Sequence, residues 1–408
     1  MMDSSLSTPE AKHSGLSSIE FQRLLPYLLL TLLFCAVVVP RIFNPNINFY
    51  GAEDETLFHY PMIQQFRAEF PHIDLVNYSS ATTPLYHLLM LVPAALFNSN
   101  LIALRVVNAL ISLTCAFVIY LFFAKLADVR TSFVLACVVI ASPYFVGPAI
   151  RLSTDNLALL WMVLALLTVY SDQSPFFSLL AILTRQFYAW LIGVSVLAQL
   201  KQGRIRAALL NLIPLAGLAV FVILWKGLTP PRFASQVSHS LINLNVLTYV
   251  LSLLGLFGIF FLPSFVGKLR KEPLLIAHCV LLMIGGCVFL WLHPMTGGVI
   301  SGDQGGALWT AAQRFPALHS SSLLYWGLFP LGIAWLYLMF RHQDIVFISV
   351  FVFWLAANLV SDSVYQKYYE PFLLFYLGWF LVKDRQRYDW VGAAVLAVGL
   401  LGLSLFRL

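Results

Sequence analysis

Three consecutive acidic residues, Glu53, Asp54 and Glu55, are the first candidates for chemistry in this sequence. They lie in the stretch Tyr50–Leu89, within a chain in which only 10% of the residues are charged. An oriented and desolvated carboxylate can act as a general base on a hydroxyl group. The same carboxylates would also suit the first turn of a short helix, because they oppose its dipole. Both interpretations stay open, and Glu55 could in addition pair with His59 four residues later.

Isolated basic residues flanked by apolar sequence form the second group of candidates. The clearest members are Arg151, Arg185 and Lys367. The guanidinium group of arginine can bind a phosphate through two parallel hydrogen bonds, and lysine offers a point charge. Such cations could hold a lipid-linked phosphate at the membrane surface, although each one alone could simply extend towards lipid headgroups. Arg185 is the strongest candidate, because Arg185-Gln186 separates two half-length apolar runs.

The elements that must position these residues are membrane helices. The 408 residues are 60% hydrophobic, and apolar runs recur from Leu24 to the C-terminus. These runs are about 17–25 residues long, which is the length that crosses a bilayer core. We therefore predict an all-α polytopic membrane protein, a bundle of about thirteen transmembrane helices. Every hydrophilic stretch is too short to bury a core of its own, so residues 1–408 form a single domain.

The distribution of basic residues predicts the orientation of the bundle. Dense clusters of lysine and arginine occupy alternate short loops, which places those loops in the cytoplasm. Residues 1–23 are then a cytoplasmic tail, residues 41–100 form an outer loop, and the C-terminus lies outside. Within the outer loop, Thr83–Asn98 is apolar but short and has a proline near its start, so we interpret it as an interfacial or re-entrant helix and not as a span. All the candidate carboxylates and cations fall on the outer side.

Composition argues against several other classes of function. The net charge is +6, but the basic residues are scattered among loops, so we predict no nucleic-acid binding. All five cysteines fall inside apolar runs without a CxxC spacing, so neither disulfides nor a zinc site is predicted. The histidines form no HxxxH pattern and the acids no DxD pattern. We predict no cofactor and no metal, although His59 and His72 leave a divalent cation possible.

Short motifs follow one another along the outer side of the chain. The first set consists of Asp54-Glu55-x-x-Phe58, Thr83-Pro84-Leu85-Tyr86, Leu104-Arg105-x-x-Asn108 and Arg151-Leu152-Ser153-Thr154-Asp155. In this order they resemble the GT-C glycosyltransferases, multi-spanning enzymes that use polyprenyl-phosphate sugars. The protein-mannosyltransferase and lipid A aminoarabinose-transferase branches share these motifs.

A second set of motifs is similar to the dolichyl-phosphate-glucose α-1,2-glucosyltransferase family. It consists of Phe58-His59-x-Pro61-x-x-Gln64, Thr82-Thr83-Pro84-x-Tyr86, Arg185-Gln186 and Tyr365–Pro371. In that family the acidic pair sits closer to the Phe-His motif than Asp54-Glu55 does here. Asp54 and Glu55 therefore both stay candidates for the catalytic carboxylate.

The resemblance implies an inverting transfer of a sugar from a polyprenyl-phosphate donor to a lipid-linked or glycan acceptor, on the non-cytoplasmic face of the lipid bilayer. Asp54 or Glu55 would take the proton of the acceptor. The donor phosphate would be held by Arg185, Lys367 and Arg151. The remaining candidates for substrate binding are Asp155, His59, Gln186, Tyr365 and Tyr368.

Two other functions stay open on the sequence alone. A lipid-linked glycan flippase or polytopic transporter would place charged residues near helix centres and break its helices in two repeated halves. The polar residues gather instead at one end of the predicted helices, although the broken run Phe176–Leu200 would fit a transporter. A non-catalytic subunit would use the acidic loop to bind a partner. The short loops favour a bacterial or archaeal plasma membrane over the endoplasmic reticulum.

Overall fold

The computed structural model describes residues 18–44, 52–77, 79–234, 242–295, 305–341, 343–361, 364–384 and 389–407. Most of the predicted cytoplasmic tail lies outside the described residues, as do parts of the predicted outer loops. The described chain is almost entirely helical, which agrees with the all-α prediction.

The helices of residues 18–201 range from 3 to 25 residues in length. They are α1 (Ser18–Ile42), α2 (Ala52–Asp54), α3 (Tyr60–Glu69), α4 (Leu85–Leu89), α5 (Leu91–Leu96), α6 (Leu101–Ala124), α7 (Val129–Ile140), α8 (Pro143–Ile150), α9 (Asp155–Leu167), α10 (Ser174–Thr184) and α11 (Trp190–Lys201). A π-helical turn at Glu55–His59 joins α2 to α3, and a 3-10 turn at Gln186–Ala189 joins α10 to α11.

The helices of residues 205–407 complete the bundle. They are α12 (Ile205–Leu210), α13 (Pro214–Trp225), α14 (Pro231–Ala234), α15 (Leu244–Gly258), α16 (Leu262–Lys271), α17 (Pro273–Leu292), α18 (Ala307–Ala312), α19 (Leu323–Phe340), α20 (Ile345–Leu359), α21 (Gln366–Asp384) and α22 (Asp389–Arg407). A 3-10 turn at Ile259–Phe261 follows α15, and a minimal antiparallel hairpin pairs β1 (Ala317–Leu318) with β2 (Ser321–Ser322).

Six segments of the described residues are long and apolar enough to cross a membrane. They are Leu24–Ile42, Leu101–Ala124, Ile205–Trp225, Leu244–Phe261, Leu274–Leu292 and Leu323–Phe340. The pair formed by α7 and α8 would make a seventh if it is one span, although it bends by 68°. The protein is therefore an integral multi-pass membrane protein.

The structure does not give the predicted count of about thirteen spans. Several runs that we counted as spans are short helices, among them α9, α20 and the half-length run of α10. A helix rises 1.5 Å per residue, so the 11 residues of α10 cover only about half of a 30 Å hydrocarbon core. Sequence hydropathy counts apolar residues but does not detect where a helix stops, so the predicted count exceeds the number of long apolar helices among the described residues.

The breaks have local causes that can be read from the chain. Between α7 and α8, Ser142 accepts a hydrogen bond from the amide of Tyr144 and caps α8, whose first residue is Pro143. Between α10 and the next turn, Arg185 has an extended backbone (φ −150°, ψ 115°). The segment predicted to be interfacial is likewise divided at Met90 into α4 and α5, each too short to span.

Two features of the packing hold the helix that carries Lys367. Helix α21 is buried along most of its length, and its Phe372 stacks on Trp354 of α20 with ring centroids 4.0 Å apart. Further along, Tyr376 stacks on Phe347 at 4.5 Å. These aromatic contacts fix α21 against α20, so its first turn has a defined position at one end of the bundle.

Candidate functional site

Glu55 lies at the centre of a buried ionic cluster. Its side chain is fully buried, and both oxygens accept several hydrogen bonds. Arg105 of α6 donates to both of them, with Nε 2.9 Å from Oε2 and a further bond from its terminal nitrogen to Oε1. Arg151, just after α8, donates to Oε1 at 3.2 Å, and the amide of Leu152 donates to Oε2 at 2.9 Å. The cluster satisfies the carboxylate completely and joins three parts of the bundle.

The cluster also fixes the residues on either side of Glu55. Arg105 donates to the carbonyl oxygen of Ile42 at 3.2 Å, which ties the end of α1 to α6. Because Glu55 begins the π-helical turn, its bonds to Arg105 and Arg151 set the position of the preceding residue, Asp54. The role that this arrangement suggests for Glu55 is positioning, since its oxygens are buried and already accept hydrogen bonds from Arg105, Arg151 and Leu152.

Asp54 forms a separate and more accessible ion pair. Its Oδ2 lies 2.8 Å from the Nζ of Lys367 in the first turn of α21. The side chain of Asp54 is 38% exposed and that of Lys367 is 18% exposed. Two residues that are more than three hundred positions apart in sequence therefore meet at one end of the bundle.

A second accessible ion pair joins Asp155 and Arg185. Asp155 is the first residue of α9, and its Oδ2 also accepts a hydrogen bond from Ser153 Oγ at 3.0 Å. Arg185 reaches its Oδ1 from the break after α10. The two side chains are 22% and 18% exposed. The backbone of Arg185 is extended and ends α10, and its guanidinium group pairs with Asp155 at the start of α9.

Tyr368 connects the two ion pairs. The guanidinium carbon of Arg185 lies 4.9 Å from the centroid of its ring, and the Nζ of Lys367 lies 5.2 Å from the same centroid. Burial acts to raise the pKa of Tyr368, but the charges of Lys367 and Arg185 outweigh it and lower the pKa below its usual value. Tyr365 packs edge-on against Tyr368 at 5.4 Å and lies 5.8 Å from Lys367.

The pKa of Lys367 reflects the same surroundings. Burial works to lower it, yet the neighbouring Tyr368 and Asp54 more than compensate, and the pKa lies above its ordinary value. Lys367 is therefore charged at physiological pH. The site contains two fixed cations and two carboxylates around one phenol ring.

His59, the last residue of the π-helical turn, is nearly buried. Its Nδ1 is 3.0 Å from Nε2 of His87 in α4, and the two rings are stacked. Burial, together with the charges of Arg185 and Lys367, lowers the pKa of His59 to about 3. His59 is consequently neutral at physiological pH. The structure places it as support for the turn after Asp54, since only 8% of it is exposed.

Gln186 uses its amide group to hold backbone. Its Nε2 donates to the carbonyl oxygens of Ala81 at 2.8 Å and Leu228 at 3.0 Å, and its Oε1 accepts from the amide of Thr83 at 3.2 Å. Thr83 in turn donates through its hydroxyl to the carbonyl oxygen of Ile182 at 2.6 Å. Residues 81 and 83, which precede α4, are thereby attached to the break between α10 and α11, where Arg185 lies.

A buried polar network lies beneath the first turn of α21. Gln366 donates through Nε2 to Glu370 and accepts at Oε1 from the amide of Leu308, at 2.5 Å and 2.9 Å. Glu370 also accepts from Ser142 Oγ at 2.6 Å. Gly306 has a φ of +97°, and a Cβ there would collide with Gln366. The network connects the segment before α18 to the helix that carries Lys367.

Sequence reasoning did not propose Arg105, His87 or Gln366 as site residues. Arg105 could have been found, because a charge within the apolar run of α6 is costly unless it is paired. Gln366 lies within the motif Tyr365–Pro371, but its hydrogen-bond partners become visible only in the folded chain. Within the described ranges, no group of three or more His, Cys, Asp or Glu side chains could hold a metal ion.

Comparisons with known proteins give a distant structural likeness. No protein-family model matches the chain, and no curated protein matches it. Among solved structures, the chain is similar to ArnT from Cupriavidus metallidurans bound to undecaprenyl phosphate, with 16% identity and a TM-score of 0.44. This match covers 91% of the present chain and 63% of ArnT, so the chain spans less than two thirds of that protein.

ArnT from the same organism in the apo state is also similar, with 14% identity and a TM-score of 0.35 over 91% of this chain and 77% of that chain. At these identities and scores the likeness carries no conclusion about activity or substrate.

Proposed function

We propose that this chain is an integral-membrane glycosyltransferase of the GT-C type. It would move a sugar from a polyprenyl-phosphate donor to a lipid-linked or glycan acceptor on the non-cytoplasmic face of a bacterial or archaeal plasma membrane. The observation that carries the proposal is the meeting of Asp54, Lys367, Asp155 and Arg185, from four distant segments, around the ring of Tyr368. Partly exposed charges that converge in this way are typical of binding and catalytic sites.

Asp54 is the carboxylate that we assign as the general base. It is accessible, whereas both oxygens of Glu55 are buried and occupied by Arg105, Arg151 and the amide of Leu152. Asp54 would accept the hydrogen of the acceptor hydroxyl while the hydroxyl oxygen attacks the anomeric carbon. Because the attack is a direct displacement, the configuration at that carbon inverts.

The leaving group needs stabilisation of charge and no general acid. The bond between the anomeric carbon and the phosphate oxygen breaks, and its electron pair stays with that oxygen. The lipid phosphate thereby gains one negative charge. Lys367 and Arg185 are the cations placed to stabilise it, since both flank one ring and both are partly exposed. Preorganised charges at the point where charge develops contribute most to catalysis.

The other candidates for phosphate and substrate binding receive different roles. Arg151, which we expected at the phosphate, is buried against Glu55 and instead supports the turn that carries Asp54. Asp155 would orient Arg185, and Tyr368 and Tyr365 offer ring faces to a sugar or to the cations. His59 and Gln186 would hold the surrounding backbone in place.

Sugar transfer by purified protein tests the proposal. The protein, in detergent or nanodiscs, is incubated with a polyprenyl-phosphate sugar and lipid-linked glycan acceptors, and products are identified by mass spectrometry. We expect Asp54→Asn to abolish transfer while the protein still folds and binds polyprenyl phosphate. Full activity of Asp54→Asn would exclude this mechanism.

A flippase or transporter is the second candidate, and the 68° bend between α7 and α8 is the observation that favours it. Broken helices are common where transporters bind their substrates. Vesicles reconstituted with the protein separate the two functions. Movement of lipid-linked glycan across the bilayer without any cleavage of the phosphate–sugar bond would support the carrier and exclude the transferase.

A further inference from the structure

The ion pair between Asp54 and Lys367 presents a problem for the proposed chemistry. The two side chains are in direct contact at 2.8 Å. In this arrangement Lys367 occupies an oxygen of the base, and Asp54 neutralises a cation that the donor phosphate requires. Arg185 is neutralised in the same way by Asp155. The resting site thus contains two cations and two carboxylates, and an anion can bind strongly only by displacing a carboxylate from a cation.

The two pairs differ in how easily they can separate. Arg185 is held by Asp155 and also lies over Tyr368, and the planar guanidinium group suits such fixed contacts. Lys367 bears a compact charge on a flexible stem, and the ring faces of Tyr368 and Tyr365 lie within 5.8 Å of its Nζ. Its partner Asp54 is the most exposed of the four charged side chains. The Asp54–Lys367 contact is therefore the one that an incoming phosphate can open.

We propose that Lys367 exchanges partners during the reaction and so couples donor binding to activation of the base. This inference rests on the proposed function. Before the donor binds, the ammonium group of Lys367 is paired with Asp54. When the phosphate arrives, Lys367 turns to it, supported by the faces of Tyr368 and Tyr365. Asp54 is then free to accept the hydrogen of an acceptor hydroxyl. Donor binding must therefore precede activation of the acceptor. Without the donor, Asp54 stays paired with Lys367 and cannot act as a base on the acceptor.

Competition of this kind has a measurable consequence for binding. If Asp54 competes with the phosphate for Lys367, then Asp54→Asn binds the lipid phosphate more tightly than the wild type, although it cannot catalyse transfer. We expect a gain of about fivefold, which corresponds to about 1 kcal/mol, the upper end for a partly exposed ion pair. The gain must depend on Lys367.

A double-mutant cycle tests this dependence with undecaprenyl phosphate as the probe. Dissociation constants are measured for the wild type, Asp54→Asn, Lys367→Gln and the double variant, all in nanodiscs. We expect Asp54→Asn to tighten binding, Lys367→Gln to weaken it, and the double variant to match Lys367→Gln. Lys367→Arg provides a second background, in which the gain from Asp54→Asn should return because the cation is kept.

A matched control is available at the Arg204–Asp172 ion pair, which is 2.5 Å long and lies on the surface away from the site. Asp172→Asn removes the same charge and should leave the dissociation constant unchanged. An equal gain from Asp54→Asn in both the wild-type and Lys367→Gln backgrounds would show a general effect of charge and would overturn the exchange of partners. No gain in either background would overturn it as well.

Failure of this inference and failure of the proposed function can be told apart. If the wild type transfers sugar and binds undecaprenyl phosphate but Asp54→Asn shows no gain, only the exchange of partners is wrong. If the wild type neither binds the lipid phosphate nor transfers sugar, the proposed function itself is wrong.

Discussion

The adjacent carboxylates Asp54 and Glu55 should give opposite results when each is neutralised. Glu55→Gln leaves Arg105 and Arg151 buried without their counter-charge, with side chains that are only 7% exposed. Removing one partner of a buried ion pair typically costs about 3–5 kcal/mol. We therefore expect Glu55→Gln to lower the free energy of unfolding by about that amount.

Asp54→Asn should behave differently because its ion pair is accessible. The pair with Lys367 is partly solvated, so its loss should cost at most about 1 kcal/mol, the upper end for exposed pairs. Loss of the general base, by contrast, should reduce turnover by about 100- to 10,000-fold. The variant should be stable and inactive.

Thermal unfolding in detergent and sugar transfer, measured on the same preparations, check both expectations. Glu55→Asp is the matched control, because it keeps the charge and should recover part of the lost stability. If Glu55→Gln unfolded at the wild-type temperature without activity, and Asp54→Asn transferred sugar normally, the assignment of positioning and base to these two residues would be reversed.

Three further predictions concern the support around the site. Gly306→Ala should lower the unfolding temperature and the apparent affinity for polyprenyl phosphate, because its Cβ would displace Gln366, next to Lys367; normal stability and binding would contradict this. Acidification should destabilise the protein, because the pKa of His59 is about 3 in the folded state and about 6.5 in the unfolded state. The free energy of unfolding falls as the pH drops below 6.5, by about 2 kcal/mol at pH 5. Unfolding curves of His59→Gln should show a smaller loss over the same pH range. Gln186→Ala and Gln186→Glu should both raise KM for the donor, since neither side chain can donate to the carbonyl oxygens of Ala81 and Leu228; a wild-type KM in both variants would argue against this role.

Hydropathy predicted a membrane protein correctly, but the described residues support six or seven spans and not the predicted thirteen. An apolar run appears the same whether it is one straight helix or two short ones, as in α7 and α8, which bend by 68°. Isolated charges in apolar sequence were a reliable guide to where polar contacts lie, because burying a charge is costly unless the fold supplies a partner. Arg105 is a further example, because it lies in an apolar run and pairs with the buried Glu55.

The choice between Asp54 and Glu55 could not be made from sequence. Adjacent residues have nearly the same sequence environment, but on the turn that begins at Glu55 their side chains point to different surroundings. Glu55 reaches Arg105 and Arg151 in the interior, and Asp54 reaches Lys367 at the accessible end of the bundle.

By itself the sequence determined that the chain is helical and that it lies in a membrane, and it indicated a few charged residues as candidates for chemistry. These conclusions follow from composition and local order, which tertiary contacts do not change. The tertiary structure alone decided which charge pairs with which. Ion pairs between Asp54 and Lys367 or between Asp155 and Arg185 join distant segments, and their geometry is set by how whole helices pack and where they break.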